Sequence, residues 1–202
     1  MNATKTDIEI TEEDRLRADM YNFLGLLLAR PPGKPILDQT AALTGDGSDM
    51  GEAINAMARV AKATRAAAVE SEFMALFIGL GRGELLPYAS FYLTGFLNEK
   101  PLAMLRGDMT NLRISRAANV FEPEDNIASL LEMMGGMILG RFGEVVSVKQ
   151  QAAFFNKHIG SWAEHFFADL ESAKSSVFYA PVGSAGKAFM EIEREAFRMD
   201  AG

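Results

Sequence analysis

Cysteine is absent from the 202 residues. That removes disulfides, thiolate-held zinc, thiolate-held iron–sulfur clusters and cysteine nucleophiles together. Histidine is scarce, with only His158 and His165. Their spacing of seven lets both face one side of a helix, but a metal needs further ligands. Glu164 is adjacent to His165 and points elsewhere. The Glu-x-x-His pair of di-iron bundles is missing, because Phe155 and Trp162 stand where its glutamates belong. No metal and no cofactor is expected. Long apolar runs are lacking too. Leu24 to Ala29 and Met133 to Leu139 are the densest, well short of the roughly 18 to 20 residues that span a bilayer. Met1 to Asp14 is polar and acidic, without the basic start and apolar run of a secretory signal. The expectation is a soluble, cytoplasmic protein. Alternating strand patterns and internal repeats are also missing. Gly79-Leu80-Gly81-Arg82-Gly83 is glycine-rich, but no Gly-Lys-Ser/Thr follows and no strand precedes it, so it is not a P-loop. No serine sits in a nucleophile elbow. An enzyme reading finds no supporting constellation.

What is present suits a folded α-helical domain. Hydrophobic residues make up 49% of the chain and charged residues 23%, enough for a core and too apolar for disorder. The net charge of −7 disfavours general nucleic-acid binding and suits either mere solubility or a basic partner. Residues 1–10 are expected to form a disordered tail.

Helical periodicity predicts the elements. A first helix starts at Thr11, with Asp14 completing a short-armed capping box, and Pro31-Pro32-Gly33 stops it. A short helix is expected from Pro35 to Leu43. Gly51 to Phe77 reads as helix in two pieces, broken by the three glycines of 79–83. Tyr88 to Leu97 is helical or irregular, since no strand partner is at hand. Lys100 to Leu112 is a helix. Phe121-Glu122-Pro123-Glu124-Asp125 reads as a helix start, with proline near the first position and acids in the first turn, and this helix runs to about Phe142. Ser147 to Ala173 gives one or two helices with a break near Gly160-Ser161, and a last helix lies between about Gly186 and Met199. The sum is an all-α, single-domain bundle of about eight to ten helices. Residues 79–87 are a candidate hinge, which leaves a monomer and a domain-swapped dimer both open.

Two segments are unusual. Gly83 to Leu93 clusters Pro87, Tyr88, Ser90, Phe91 and Tyr92 beside the glycine loop, which suits either core packing or an apolar groove for a peptide. Farther on, Asp125, Ser129, Glu132 and Gly136 fall at offsets of four, seven and eleven on one acidic, small-residue helix face. A guanidinium can approach such a face and pair with its carboxylates, although a solvated face looks the same in sequence.

The order of motifs resembles the TorD/DmsD family of redox enzyme maturation proteins. The motifs are Glu72-Phe73-x-x-Leu76-Phe77-x-Gly79, Leu86-Pro87-Tyr88-x-Ser90-x-Tyr92, Glu122-Pro123-Glu124-Asp125-Asn126 with Glu132, and the aromatic segment Phe155 to Phe167. The resemblance spans about Arg15 to Asp169. It implies a TorD-like helical chaperone domain over residues 11–200, and no enzyme. Such a chaperone binds the twin-arginine signal peptide, or another segment, of a molybdoenzyme precursor and holds it for molybdopterin insertion. The peptide-binding residues it implies are Pro87, Tyr88, Ser90, Tyr92, Glu122, Pro123, Asp125 and Asn126. To these the residue reading adds Phe91, Ser129 and Glu132, with Asp125 and Glu132 expected to meet the client's basic residues. Family members often carry histidine where this chain has Asn126, which cannot titrate near neutral pH. The wording of 83–90 and 94–106 is most similar to members linked to formate dehydrogenases; dimethyl sulfoxide and trimethylamine N-oxide reductases are the other clients the family implies. A helical interaction scaffold unrelated to redox enzymes is the alternative, and a helical enzyme of unknown type ranks below it.

Overall fold

The computed structural model describes residues 9–117 and 120–199. Residues 1–8 of the expected tail and residue 200 of the expected domain lie outside the described residues. Among the described residues there are ten α-helices and no strand.

Helix α1 (Glu12–Ala29) opens on the predicted capping box. The Thr11 hydroxyl accepts the Asp14 N–H at 3.1 Å, and the Asp14 carboxylate accepts the Thr11 N–H at 3.2 Å. The helix stops at Arg30, just before the prolines. Helices α2 (Lys34–Ala41) and α3 (Asp49–Ala63) follow. Helix α4 (Ala66–Phe73) runs on as a π-helical turn over Met74–Ile78. Gly79 ends this run with φ +62°, and a Cβ there would collide with the Arg82 carbonyl, so only glycine fits. Then come α5 (Ala89–Thr94), α6 (Lys100–Asn111), α7 (Ile127–Ile138), α8 (Val148–His158), α9 (Ala163–Ser172) and α10 (Tyr179–Met199).

Three helix boundaries depart from the sequence expectation. Helix α7 starts at Ile127, not at Pro123, with Asn126 as its cap: its Oδ1 accepts the Ala128 N–H at 2.9 Å. The acids at 124 and 125 are therefore not in a first turn; they turn away to partners on other elements. The same helix stops at Ile138, because Gly140 takes φ +68°. Helix α10 begins at Tyr179, well before Gly186. Its start is made by a distant residue. The Glu72 carboxylate of α4 accepts the N–H groups of Val177 at 2.8 Å, Phe178 at 3.0 Å and Tyr179 at 2.8 Å. The Tyr179 N–H is one of the orphan donors that every helix start leaves, and the other two belong to the residues that lead into it.

Helix α7 is the centre. Ten of its twelve residues are buried, and only Ser129 and Glu132 are not. A helix this apolar around its circumference must be surrounded on all sides. Helix α1 packs along it, and α9, α10 and α3 complete the bundle. At Gly183 the backbones of α10 and α9 come so close that a Cβ would lie 2.5 Å from the Glu171 nitrogen. Trp162, Phe166, Phe167, Phe178 and Tyr179 fill the space between, all essentially inaccessible to solvent. A buried ion pair fastens α1 to α10: Arg17 donates to both oxygens of Glu193 at 2.7 and 2.8 Å, and the Tyr21 hydroxyl donates to the same carboxylate at 2.9 Å. Fork geometry with a third donor satisfies a carboxylate that has no solvent contact.

Glu72→Ala is expected to lower stability in urea titration by about 1 to 2 kcal/mol, the usual cost of losing a helix cap. Glu70→Ala, on the exposed side of the same helix, is expected to stay within about 0.5 kcal/mol of the parent.

Candidate functional site

The two unusual segments meet. The stretch before α5 and the stretch before α7 run antiparallel for one bridge, Tyr88 opposite Asn126. The Ile127 N–H donates to the Pro87 carbonyl at 2.8 Å, and the Ala89 N–H donates to the Asp125 carbonyl at 3.0 Å. Asp125 then caps α5 from outside. Its Oδ2 accepts the Ser90 N–H at 2.8 Å and the Ser90 hydroxyl at 2.5 Å. Asp125 is only 1% exposed, and its second oxygen is buried without a partner. Nearby, the Tyr88 hydroxyl donates to the Glu122 carboxylate.

Asp125 was expected on an open acidic face with Ser129, Glu132 and Gly136. The structure separates them. Asp125 precedes the helix and is enclosed, and Gly136 is buried against the Phe142 ring. What remains of the open face is Ser129 and Glu132.

These two line a depression of about 220 Å³ beside the Tyr88–Asn126 bridge. Its floor is apolar: Met109, Ile114 and Met133, with Phe142 at one side. Its rim is mostly acidic: Glu122, Glu124 and Glu132, with Arg116 opposite them. Glu124 is 8% exposed and accepts Arg106 Nε at 3.0 Å and Nη2 at 2.8 Å. Burial pushes the Glu124 carboxyl up. The hydrogen bonds from Arg106, together with the charges of Arg106 and Arg116, outweigh burial and hold it below the ordinary glutamate value. Glu122 and Glu124 are thus already engaged. Glu132 is exposed and has no hydrogen-bond or ion-pair partner among the described residues.

Phe91 and Tyr92 stand on another side. The Tyr92 ring lies 5.2 Å from Trp162 and 6.0 Å from Phe166, and its hydroxyl donates to Asp169 at 2.9 Å. Burial and the Asp169 carboxylate push the Tyr92 phenol far above its ordinary value, so it stays protonated. Phe91 lies under the Arg82 guanidinium at 5.1 Å. Both rings brace α5 against α9 and the glycine loop; neither lines the depression.

Of the expected site, then, Pro87, Tyr88, Ser90, Glu122, Pro123, Asp125 and Asn126 share one hydrogen-bonded wall, and Ser129 and Glu132 face the depression next to it. Sequence reasoning missed Met109, Arg106, Arg116, Glu124 and Phe142. Glu124 lies within the Glu-Pro-Glu-Asp run, but no local pattern pairs it with an arginine eighteen residues earlier.

The family model of the nitrate reductase delta subunit matches residues 44–168, a span that includes both walls of this depression. The chain belongs to the nitrate reductase delta subunit family. Within it, the protein is similar to relatives named chaperone protein TorD. The one from Aliivibrio fischeri is 25% identical and aligns over 92% of this chain and 96% of its own length. The one from Aliivibrio salmonicida is 29% identical over 62% of each chain. Both agree with the TorD/DmsD resemblance carried by the motifs. In fold the family member is similar to the crystal structure of a protein assigned to redox enzyme maturation from Archaeoglobus fulgidus. The TM-score is 0.51 at 18% identity, over 94% of this chain and 99% of that one.

Asp125→Ala is expected to destabilise by about 1 to 3 kcal/mol, because it strands the Ser90 donors in the interior. A double-mutant cycle with Ser90→Ala in chemical denaturation checks this, and the two losses are expected not to add. For Glu124, the folded carboxyl titrates below the unfolded one. Its contribution to stability is therefore complete above the ordinary glutamate range and disappears as pH falls through the lower folded value. Glu124→Gln is expected to flatten that acid limb when stability is plotted against pH.

Proposed function

We propose that this protein is a maturation chaperone that receives a basic segment of a molybdoenzyme precursor at the Glu132 depression. The observation that carries the reading is a free carboxylate above an apolar floor, next to two carboxylates that are already paired. Arginine and lysine have an apolar stem and a charged head, and this arrangement accepts both parts. The relatives named TorD and the family membership support a chaperone over an enzyme, as does the lack of any nucleophile or metal-ligand cluster in the sequence. The segment proposed is the twin-arginine signal peptide. It is held in the cytoplasm until the molybdopterin cofactor is in place. The client classes proposed are formate dehydrogenase first, then reductases of the dimethyl sulfoxide and trimethylamine N-oxide type. Among the described residues no helix is long and apolar enough to cross a membrane.

Asp125 and Ser90 act here by position. They fix the relation between α5 and α7, and so the height of the wall above Glu132. Asn126 works in the same way, as a helix cap, a task asparagine does as well as any residue. The absence of a titratable histidine at 126 therefore costs the wall nothing.

Calorimetric titration with twin-arginine signal peptides from the molybdoenzymes of the same genome is the test. Micromolar binding is expected, lost when both arginines are replaced by alanine. Glu132→Gln is expected to weaken binding about tenfold, equivalent to about 1.4 kcal/mol, with no loss of fold by circular dichroism. Equal affinity for the arginine and alanine peptides would overturn the reading.

A further inference from the structure

Glu132 has a second neighbourhood. On its other side lies a further depression, of about 430 Å³, lined by Asn22, Gly25, Leu26, Ala29, Arg30, Glu132 and Arg141. Its chemistry is opposite to that of the first. Apart from Glu132, its charged residues are two arginines. Arg30 is exposed, at the end of α1, and makes no ion pair among the described residues. Arg141 donates to Asn22 Oδ1 at 3.2 Å and likewise has no carboxylate partner. The Asn22 amide nitrogen is buried without an acceptor. Two unpaired guanidinium groups and one unused amide N–H are therefore gathered in one concavity, and all of them are donors.

The two depressions share Glu132. They also use adjacent residues of the turn after α7: Phe142 lines the acidic one and Arg141 the basic one. They are consecutive stations on one surface, divided only by the Glu132 side chain and this turn. Gly25 lets α1 approach α7 closely here, with a Cβ position 3.3 Å from the Ala128 carbonyl, which makes the second station a shallow trough along both helices.

We infer that the bound segment carries an acidic side chain close in sequence to its basic one, and that Arg30, Arg141 and Asn22 read this carboxylate while Glu132 reads the cation. This deepens the proposed client-binding site and rests on that reading. The argument is charge complementarity. A segment with basic residues alone would satisfy the acidic station and lay neutral or positive chain across two unpaired arginines. A mixed-charge segment pairs both stations, and Arg pairs with carboxylates in two-point geometry that fixes register. The basic station thus becomes a specificity element that separates one twin-arginine precursor from another.

The probes are four acetylated, amidated twelve-residue peptides of one serine, alanine and leucine background. One carries two arginines, one carries two arginines and, four residues on, a glutamate, and one carries the same glutamate alone. They are titrated calorimetrically into the full chain and into Arg141→Glu and Arg30→Gln variants, each checked by circular dichroism. The arginine–glutamate peptide is expected to bind at least tenfold more tightly than the arginine peptide. Arg141→Glu is expected to erase that advantage. The fourth peptide, with lysine in place of glutamate, is expected to regain affinity on Arg141→Glu. Arg30→Gln leaves the Asn22 contact intact, and it is expected to reduce the advantage at least threefold. Equal binding of the arginine and arginine–glutamate peptides would overturn this inference and leave the chaperone reading standing. So would an advantage untouched by both variants. Failure of every arginine peptide to bind would sink both.

Discussion

Helix α7 has to bury almost its whole circumference, and the rest of the molecule follows from that demand. Its Ile, Leu and Met side chains are enclosed chiefly by α1, with α8 also against it, in a core cluster that also takes in the aromatic residues of α9 and α10. A polar residue on such a helix loses hydration unless the surrounding shell opens. The shell opens at Ser129 and Glu132, where the loop between α6 and α7 and the turn at 141–142 stand back. Glu132 is thus a carboxylate carried on a helix buried at ten of its twelve positions and displayed through a gap in the packing. Sites built on such elements hold their geometry better than sites on loops.

The acidic balance of the chain is less a surface property than its net charge suggests. Glu193 sits inside a fork of Arg17, Glu72 caps α10, Glu84 accepts the N–H groups of Lys174 and Ser175, and Asp125 caps α5. Each of these carboxylates joins elements far apart in sequence, and each is used as an acceptor for donors that would otherwise be orphaned. Glu72 and Glu84 stand on either side of the glycine connection and both fasten the chain before α10. The segment that breaks the helical run is therefore tied at both ends to the C-terminal half. What the net charge leaves for a partner is a smaller set, and Glu132 is a member of it that faces a cavity.

Much of the architecture can be read along the chain. The Thr11–Asp14 box, the Pro31-Pro32 stop, the break at Gly79 and the division of the C-terminal region near Gly160 are local matters. Backbone geometry and side-chain caps within three or four residues decide them. The motif order likewise pointed to the family. At the starts of α7 and α10 the deciding partner is remote. The start of α10 has a local mark in Pro181, in its first turn, but the carboxylate that caps it comes from α4. The Glu-Pro-Glu-Asp run looks like a first turn, and would be one if Arg106 and Ser90 did not draw its acids away.

An all-helical chain, its breaks at glycine and proline, and the two segments that build the site can be read along the chain alone. Those follow from periodicity and from the backbone preferences of glycine and proline. Only the tertiary structure decided which acids remain free. Asp125 and Glu132 are both carboxylates near one helix start, and no pattern separates them. Burial does: one is enclosed and bound to Ser90, the other stands unpaired between an acidic and a basic hollow. Pairing of charges is a property of distance in space, and chain separations of eighteen or thirty-five residues carry no record of it.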